Sequence, residues 1–181
     1  MAASAVPSSV SVLALHLHPS LLPVLSSALT MARDGRVLLL VRGEAMEEAG
    51  VAEALEEWEG DALERVDVKY VEGAEDVRRF AAAAHMAEAR YGAILVDRLA
   101  ETVARGQPAG TTAQARDLAL AKAVALLRNA AAFHGARLVV GHAVPDGGRL
   151  DSTDAALTLS CGAHLRLDAD PPRWDCVETT L

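Results

Sequence analysis

The chain has 181 residues, 51% of them apolar and 23% charged, which fits one globular domain with a real core. A formal net charge of -8 repels phosphate backbones, so tight autonomous binding of nucleic acid is disfavoured, and aromatic residues at 3% leave few platforms for stacking on single strands. Two cysteines, Cys161 and Cys176, show no CxxC spacing and read as reduced thiols rather than a disulfide framework.

In chain order, Met1 to Ser9 reads as a flexible tail, without the basic region and cleavage site of a secretory signal, and 10–181 as a single domain. No apolar run reaches the length that spans a bilayer, so no membrane association is expected. Short apolar runs then alternate with longer amphipathic segments, the signature of βαβ units and a mostly parallel sheet flanked by helices. The runs are VSVLALHL (Val10 to Leu17), RVLLLVR (Arg36 to Arg42), VDVKYVE (Val66 to Glu72), AILVD (Ala93 to Asp97) and RLVVGHAV (Arg137 to Val144). The first is nearly continuous in apolar residues, as a strand covered on both faces should be, whereas the third alternates and predicts a more exposed strand. Two last runs, HLRLDA and WDCVETT, flank Pro171-Pro172 and predict a closing antiparallel hairpin.

Helices are expected between the runs. SLLPVLSSALTMA has Pro23 in its first turn, where a missing N–H costs little. The acidic stretch Glu44 to Glu64 predicts a helix broken or weakened by Gly50. It reads as a solvated face, or as a patch meeting a basic partner with Trp58 as its anchor. AEDVRRFAAAAHMAEARYG sets Val77, Phe80, Ala81, Ala84 and Ala87 on one face up to Gly92. Then Ala104 to Gln114 predicts a mobile loop, and the longest helix follows, with Leu120, Val124, Leu127 and Ala131 on one face. Apolar residues cover most of that helix, which makes Leu120, Val124 and Leu127 candidates for a partner interface.

The chemistry turns on Asp97. AILVDRLAETVAR resembles the strand end that orients a magnesium-bound nucleotide in an ATPase, with Asp97 as the carboxylate. Such a site also needs G-x-x-x-x-G-K-[ST], because glycines let backbone N–H groups close on the phosphates and the lysine neutralises charge. After the first strand the chain instead reads HLHPSLLPVLSS, with no glycine, no lysine and two prolines. ATP hydrolysis by that mechanism is therefore not expected, and Asp97 reads as a vestige that caps a turn or pairs with Arg98 or Arg105. No cofactor and no metal is expected. The alternative is a small α/β enzyme in which His16, His18, Asp97 and His142 gather at the carboxyl ends of the strands as a metal or acid/base site. The nucleophile elbow G-x-S-x-G is absent, and Asp151 or Ser152 reads as a helix cap. Arg149 and Arg173 are the candidates for DNA contact, although the loop PDGGRLDS is poor in basic residues.

With this order set out, the chain resembles the RecA-like recombinase superfamily over nearly its whole length. In that family a phosphate-loop strand leads through two strand and helix units to the Asp-ending strand, a long helix, a strand with a polar sensor residue, a DNA-facing loop and a closing hairpin. The residues DVKYVEGAEDVRRFAAAAH, AILVDRLAE and DLALAKAVALLRNAAAFHGARLVV look most like the degenerate recombinase paralogs, in particular the one paired with a SWIM zinc-finger protein in the Shu complex. Here His142 stands at the sensor position and the phosphate loop is missing. The resemblance implies a nuclear pseudo-ATPase subunit in homologous recombination and DNA repair. It would act through a SWIM-domain protein or another recombinase paralog and touch single-stranded DNA only within a complex. A RecA-like subunit of another assembly, such as Elongator, is the other reading the resemblance leaves open.

Overall fold

The computed structural model describes residues 12–16, 20–57, 61–143, 163–166 and 176–177. The five apolar runs form strands β1 (Val12–His16), β2 (Val37–Val41), β3 (Val66–Tyr70), β4 (Ala93–Val96) and β5 (Arg137–Ala143). With β6 (Ala163–Arg166) and β7 (Cys176–Val177) they line up in the order β3-β2-β4-β5-β1-β6-β7. Every pairing from β3 through to β6 is parallel. β7 pairs antiparallel to β6 over His164↔Val177 and Leu165↔Cys176, while 167–175, which connect them, lie outside the described residues.

Helices α1 (Leu22–Met31), α2 (Val51–Glu57), α3 (Ala74–Ala83), α4 (Leu99–Ala104) and α5 (Ala113–His134) cover the sheet on both faces. The chain steps one way from β1 to β2 to β3, then returns through β4 and β5. Right-handed crossovers turn that reversal into helices on opposite faces. Alternate strand residues show the division. Val37, Leu39, Val41, Ala93, Leu95 and Val139 pack under α1 and α2. Leu38, Leu40, Ile94, Val96, Leu138 and Val140 pack under α3, α4 and α5. β2 and β4 are buried along their whole length, which is why their sequences carry no polar alternation. β3 is an edge strand, and Tyr70 stays 58% exposed.

The structure sharpens three expectations. Gly50 does break the acidic stretch Glu44 to Glu64. A 3-10 turn at Gly43–Glu47 precedes α2, and Gly50 between them sits at φ +85°, a left-handed conformation that a continuous helix does not allow. The third helix ends at Ala83 and tightens into a 3-10 turn at Ala84–Met86, so Val77, Phe80 and Ala84 are buried but Ala87 lies beyond the helix and is exposed. The loop expected at Ala104 to Gln114 is found at 105–112, preceded by a short helix, α4, that was not expected, and α5 begins where Thr112 accepts a hydrogen bond from the Ala115 N–H at 3.3 Å. Gly135, at φ +69°, closes α5 by donating its N–H to the last-turn carbonyls.

Candidate functional site

In an open parallel sheet the ligand crevice lies outside the carboxyl ends of the strands. Asp97 leaves β4 there, its N–H held by the Leu40 carbonyl at 2.9 Å, and its side chain is 0% exposed. One carboxylate oxygen, Oδ2, accepts a hydrogen bond from Arg98 Nε at 2.8 Å, whereas Oδ1 has no partner among the described residues. Burial pushes the Asp97 carboxyl up to about 6, against the opposing pull of the Arg98 charge, with Glu48 raising it further and Arg42 lowering it.

Arg98 is itself unusual. Its backbone is left-handed, at φ 41° and ψ 52°, and it is the one non-glycine residue with positive φ among those described. Such a conformation costs on the order of 1–3 kcal/mol and persists only where surrounding contacts over-determine it. Those contacts are visible. The Arg98 guanidinium, 6% exposed, reaches from Asp97 to Glu48 Oε1 at 2.5 Å. The other Glu48 oxygen accepts the Leu21 N–H at 2.8 Å, just ahead of α1. An unbroken chain of charge-assisted bonds thus runs from the end of β4, through the turn before α2, to the start of α1.

A second network lies beside it. Arg42, at the end of β2 and 5% exposed, pairs with Glu44 at 2.8 Å and with Glu101 of α4 at 3.0 Å. Arg105 reaches Glu44 at 2.5 Å, and its hydrogen bond holds the Glu44 carboxyl below the usual range. Glu72, after β3, accepts the Gly43 N–H at 3.0 Å. Three arginines and five carboxylates therefore bind one another across the ends of β2, β3 and β4. The arrangement holds loops in place and leaves Asp97 without solvent access.

Of the expected histidine group, the described backbone places His16 at the end of β1 and His142 on the neighbouring β5. The register sets His16 opposite Ala143 and His142 opposite Leu15, so the two occupy alternate positions, which face opposite sides of the sheet. His18 lies outside the described residues, and no group of three potential metal ligands occurs among the described ones. Trp58, Arg149 and Arg173 also lie outside them. Leu120, Val124 and Leu127 are 2%, 1% and 0% exposed, packed into the chain's own core beneath α5. That corrects their reading as a partner surface, because the sheet, α3 and α4 already cover the face. The apolar side chains α5 does leave open are Leu118 and Phe133.

No family model and no curated protein matches this chain. Its function is therefore argued from its own residues. Sequence reasoning missed Glu48, Arg42 and the bridging role of Arg98. The one available signal was an arginine within two residues of the end of each of two fully apolar strands, Arg42 directly after β2 and Arg98 after β4 and Asp97, where a buried guanidinium demands a carboxylate. A cleft of about 480 Å³ also opens between α3, α4 and α5, lined by Ala74, Arg78, Arg105, Gln107, Lys122 and Leu126, and it does not include Asp97.

Proposed function

We propose that this chain is a non-catalytic, RecA-like pseudo-ATPase subunit of a homologous-recombination complex, promoting recombinase assembly on single-stranded DNA through protein partners. The observation that carries the reading is the state of Asp97. The residue in the place of an ATPase carboxylate is bound to the chain's own Arg98 and shut off from solvent, while the segment before α1 has no phosphate-loop glycine or lysine. The order of strands and helices, with Asp97 closing β4 ahead of the long α5 and His142 on β5, supports a RecA-like core. The finer features, a closing antiparallel hairpin after β6 and a DNA-facing loop carrying Arg149, belong to this proposal.

Two experiments test it. Affinity capture of the tagged protein from its own cells should recover a SWIM-domain protein or a recombinase, and titration of the captured complex with ATP and magnesium should show no saturable binding to this chain at millimolar nucleotide. Micromolar ATP binding, or recovery of the chain alone as a stable monomer, would overturn the reading. If the basic residues after β5 and β6 meet DNA, Arg149→Glu with Arg173→Glu leaves the complex intact but weakens its retention of single-stranded DNA, with the largest loss at low salt. Unchanged retention removes both from the DNA surface.

A further inference from the structure

Among the described residues the sheet ends at β3, with one hydrogen-bonding edge of that strand open. We propose that this edge is a self-association surface, on which the β3 of a second copy of this chain pairs antiparallel about a two-fold axis through Val68, carrying the sheet across both copies. The inference holds whether or not the chain serves recombination.

The backbone sets the register. β3 pairs with β2 on one side, and its exposure rises along the strand to 39% at Val68 and 58% at Tyr70. Just past the strand, Val71 donates its N–H to the Val41 carbonyl at 2.9 Å. Residues of a parallel ladder alternate in the side to which they turn N–H and C=O. Asp67 and Lys69 therefore share the direction of Val71, toward β2, and Val66, Val68 and Tyr70 turn their backbone groups to the open side. An antiparallel copy with Val68 opposite Val68, and Val66 opposite Tyr70, then exchanges about six main-chain hydrogen bonds.

The charges select that same register. It sets Asp67 of each copy opposite Lys69 of the other, at the positions between hydrogen-bonded pairs where Cα atoms approach to about 4.5 Å. A slip of two residues either way would oppose Asp67 to Asp67 or Lys69 to Lys69. Arg36 holds Asp67 in place through two hydrogen bonds of 2.9 Å, one to each carboxylate oxygen. Lys69 has the Phe80 ring 5.6 Å from its Nζ and no ion pair among the described residues. A lysine alone on an edge strand discourages pairing, but opposite a carboxylate it specifies partner and register. On the other face Tyr70 meets Val66 of the second copy, a favourable aromatic and β-branched pair.

One short strand makes a small contact of the weak class, so a Kd on the order of tens of micromolar is expected. Sedimentation velocity of the full-length chain, from micromolar to near-millimolar concentration, should show monomer giving way to dimer. Val68→Pro removes an outward N–H that the monomer's ladder does not use, so its melting temperature should hold while the dimer is lost. Lys69→Glu opposes two carboxylates and Asp67→Lys opposes two ammonium groups, so each variant alone should stay monomeric. Mixed one to one, the two variants restore opposite charges at both positions and should dimerise at least as tightly as the parent. A parent that stays monomeric throughout, a Val68→Pro chain that dimerises as the parent does, or a mixture that stays monomeric overturns the proposal. Should Val68→Pro fail to fold, the mixture decides. A photo-crosslinking residue in place of Tyr70 should capture this chain in its own cells, and capture of a different protein instead overturns the proposal as well.

Discussion

Asp97→Asn is expected to raise the melting temperature above pH 7 and to flatten its dependence on pH. Asp97 is 0% exposed, and burial lifts its carboxyl from an ordinary value of 3.8 to about 6 in the fold. The folded chain therefore holds the Asp97 proton more tightly than the unfolded chain does. Its contribution is most favourable below about pH 4, declines as pH rises through about 6, and is wholly lost above that. About two pKa units correspond to roughly 3 kcal/mol carried as a penalty at neutral pH. Asparagine removes the penalty but also the charge facing Arg98, so a net gain of about 1–2 kcal/mol is expected, or roughly 2–8 °C for a chain of this size.

The parent alone is not a clean readout. Burial holds the His134 imidazole below its usual range, which works in the opposite sense, adding stability as pH rises through 6.5. Melting both proteins from pH 5 to pH 8 and subtracting isolates Asp97, because every other group is shared. A difference that grows with pH and levels off above about 7 supports the buried, uncompensated carboxylate. An asparagine variant less stable at every pH would mean that the Arg98 pair outweighs the burial cost and that ionised Asp97 belongs to the fold.

Gly141→Ala is expected to destabilise the chain by about 1–3 kcal/mol, near 2–12 °C in melting temperature, and Gly141→Val by more. Gly141 lies in β5 with strands on both sides, where a glycine otherwise only weakens a sheet. Here the missing side chain has a use. A Cβ at this position would stand 2.7 Å from Val24 Cγ2 and 3.2 Å from the Val96 carbonyl oxygen. Val24 is 1% exposed on α1, so it has no room to withdraw without moving the helix. The check is a double-mutant cycle, in which Val24→Ala should recover part of the loss from Gly141→Ala even though it costs stability by itself. Strict additivity would show that α1 does not press on β5 at this point.

The strands were legible in the sequence because burial on both faces leaves a run such as VLLLV with no other explanation, and the alternation of VDVKY marked the edge strand equally well. Helix ends were less legible. The apolar spacing of Val77, Phe80 and Ala84 continues into Ala87, but the helix tightens into a 3-10 turn at Ala84–Met86 and Ala87 is exposed, an ending that no glycine or proline marks. α4 was hidden because its six residues precede a Gly and Pro loop and show no full period of apolar spacing. The stripe of Leu120, Val124 and Leu127 announced burial correctly, yet spacing cannot say whether the covering surface is another molecule or the chain's own sheet. Asp97 stood out by its place at a strand end. Its tie to Glu48 through Arg98 joins residues 50 apart by way of a left-handed backbone, and no local pattern encodes that.

The position of β1 has a consequence for how the protein is made. β1 comes before every other described strand in the chain, yet it pairs with β5 and β6, at Val12↔Val139 and Val12↔Ala163, and not with β2, β3 or β4. At synthesis rates of roughly 5–20 residues per second, the run VSVLALHL waits on the order of ten seconds for residue 143 to emerge, while β2, β3 and β4 are already able to pair among themselves. The nascent chain thus carries an apolar, strand-forming segment with a prolonged vacancy on both edges, the kind of segment that chaperones hold, and its final closure is the most non-local and slowest step of folding.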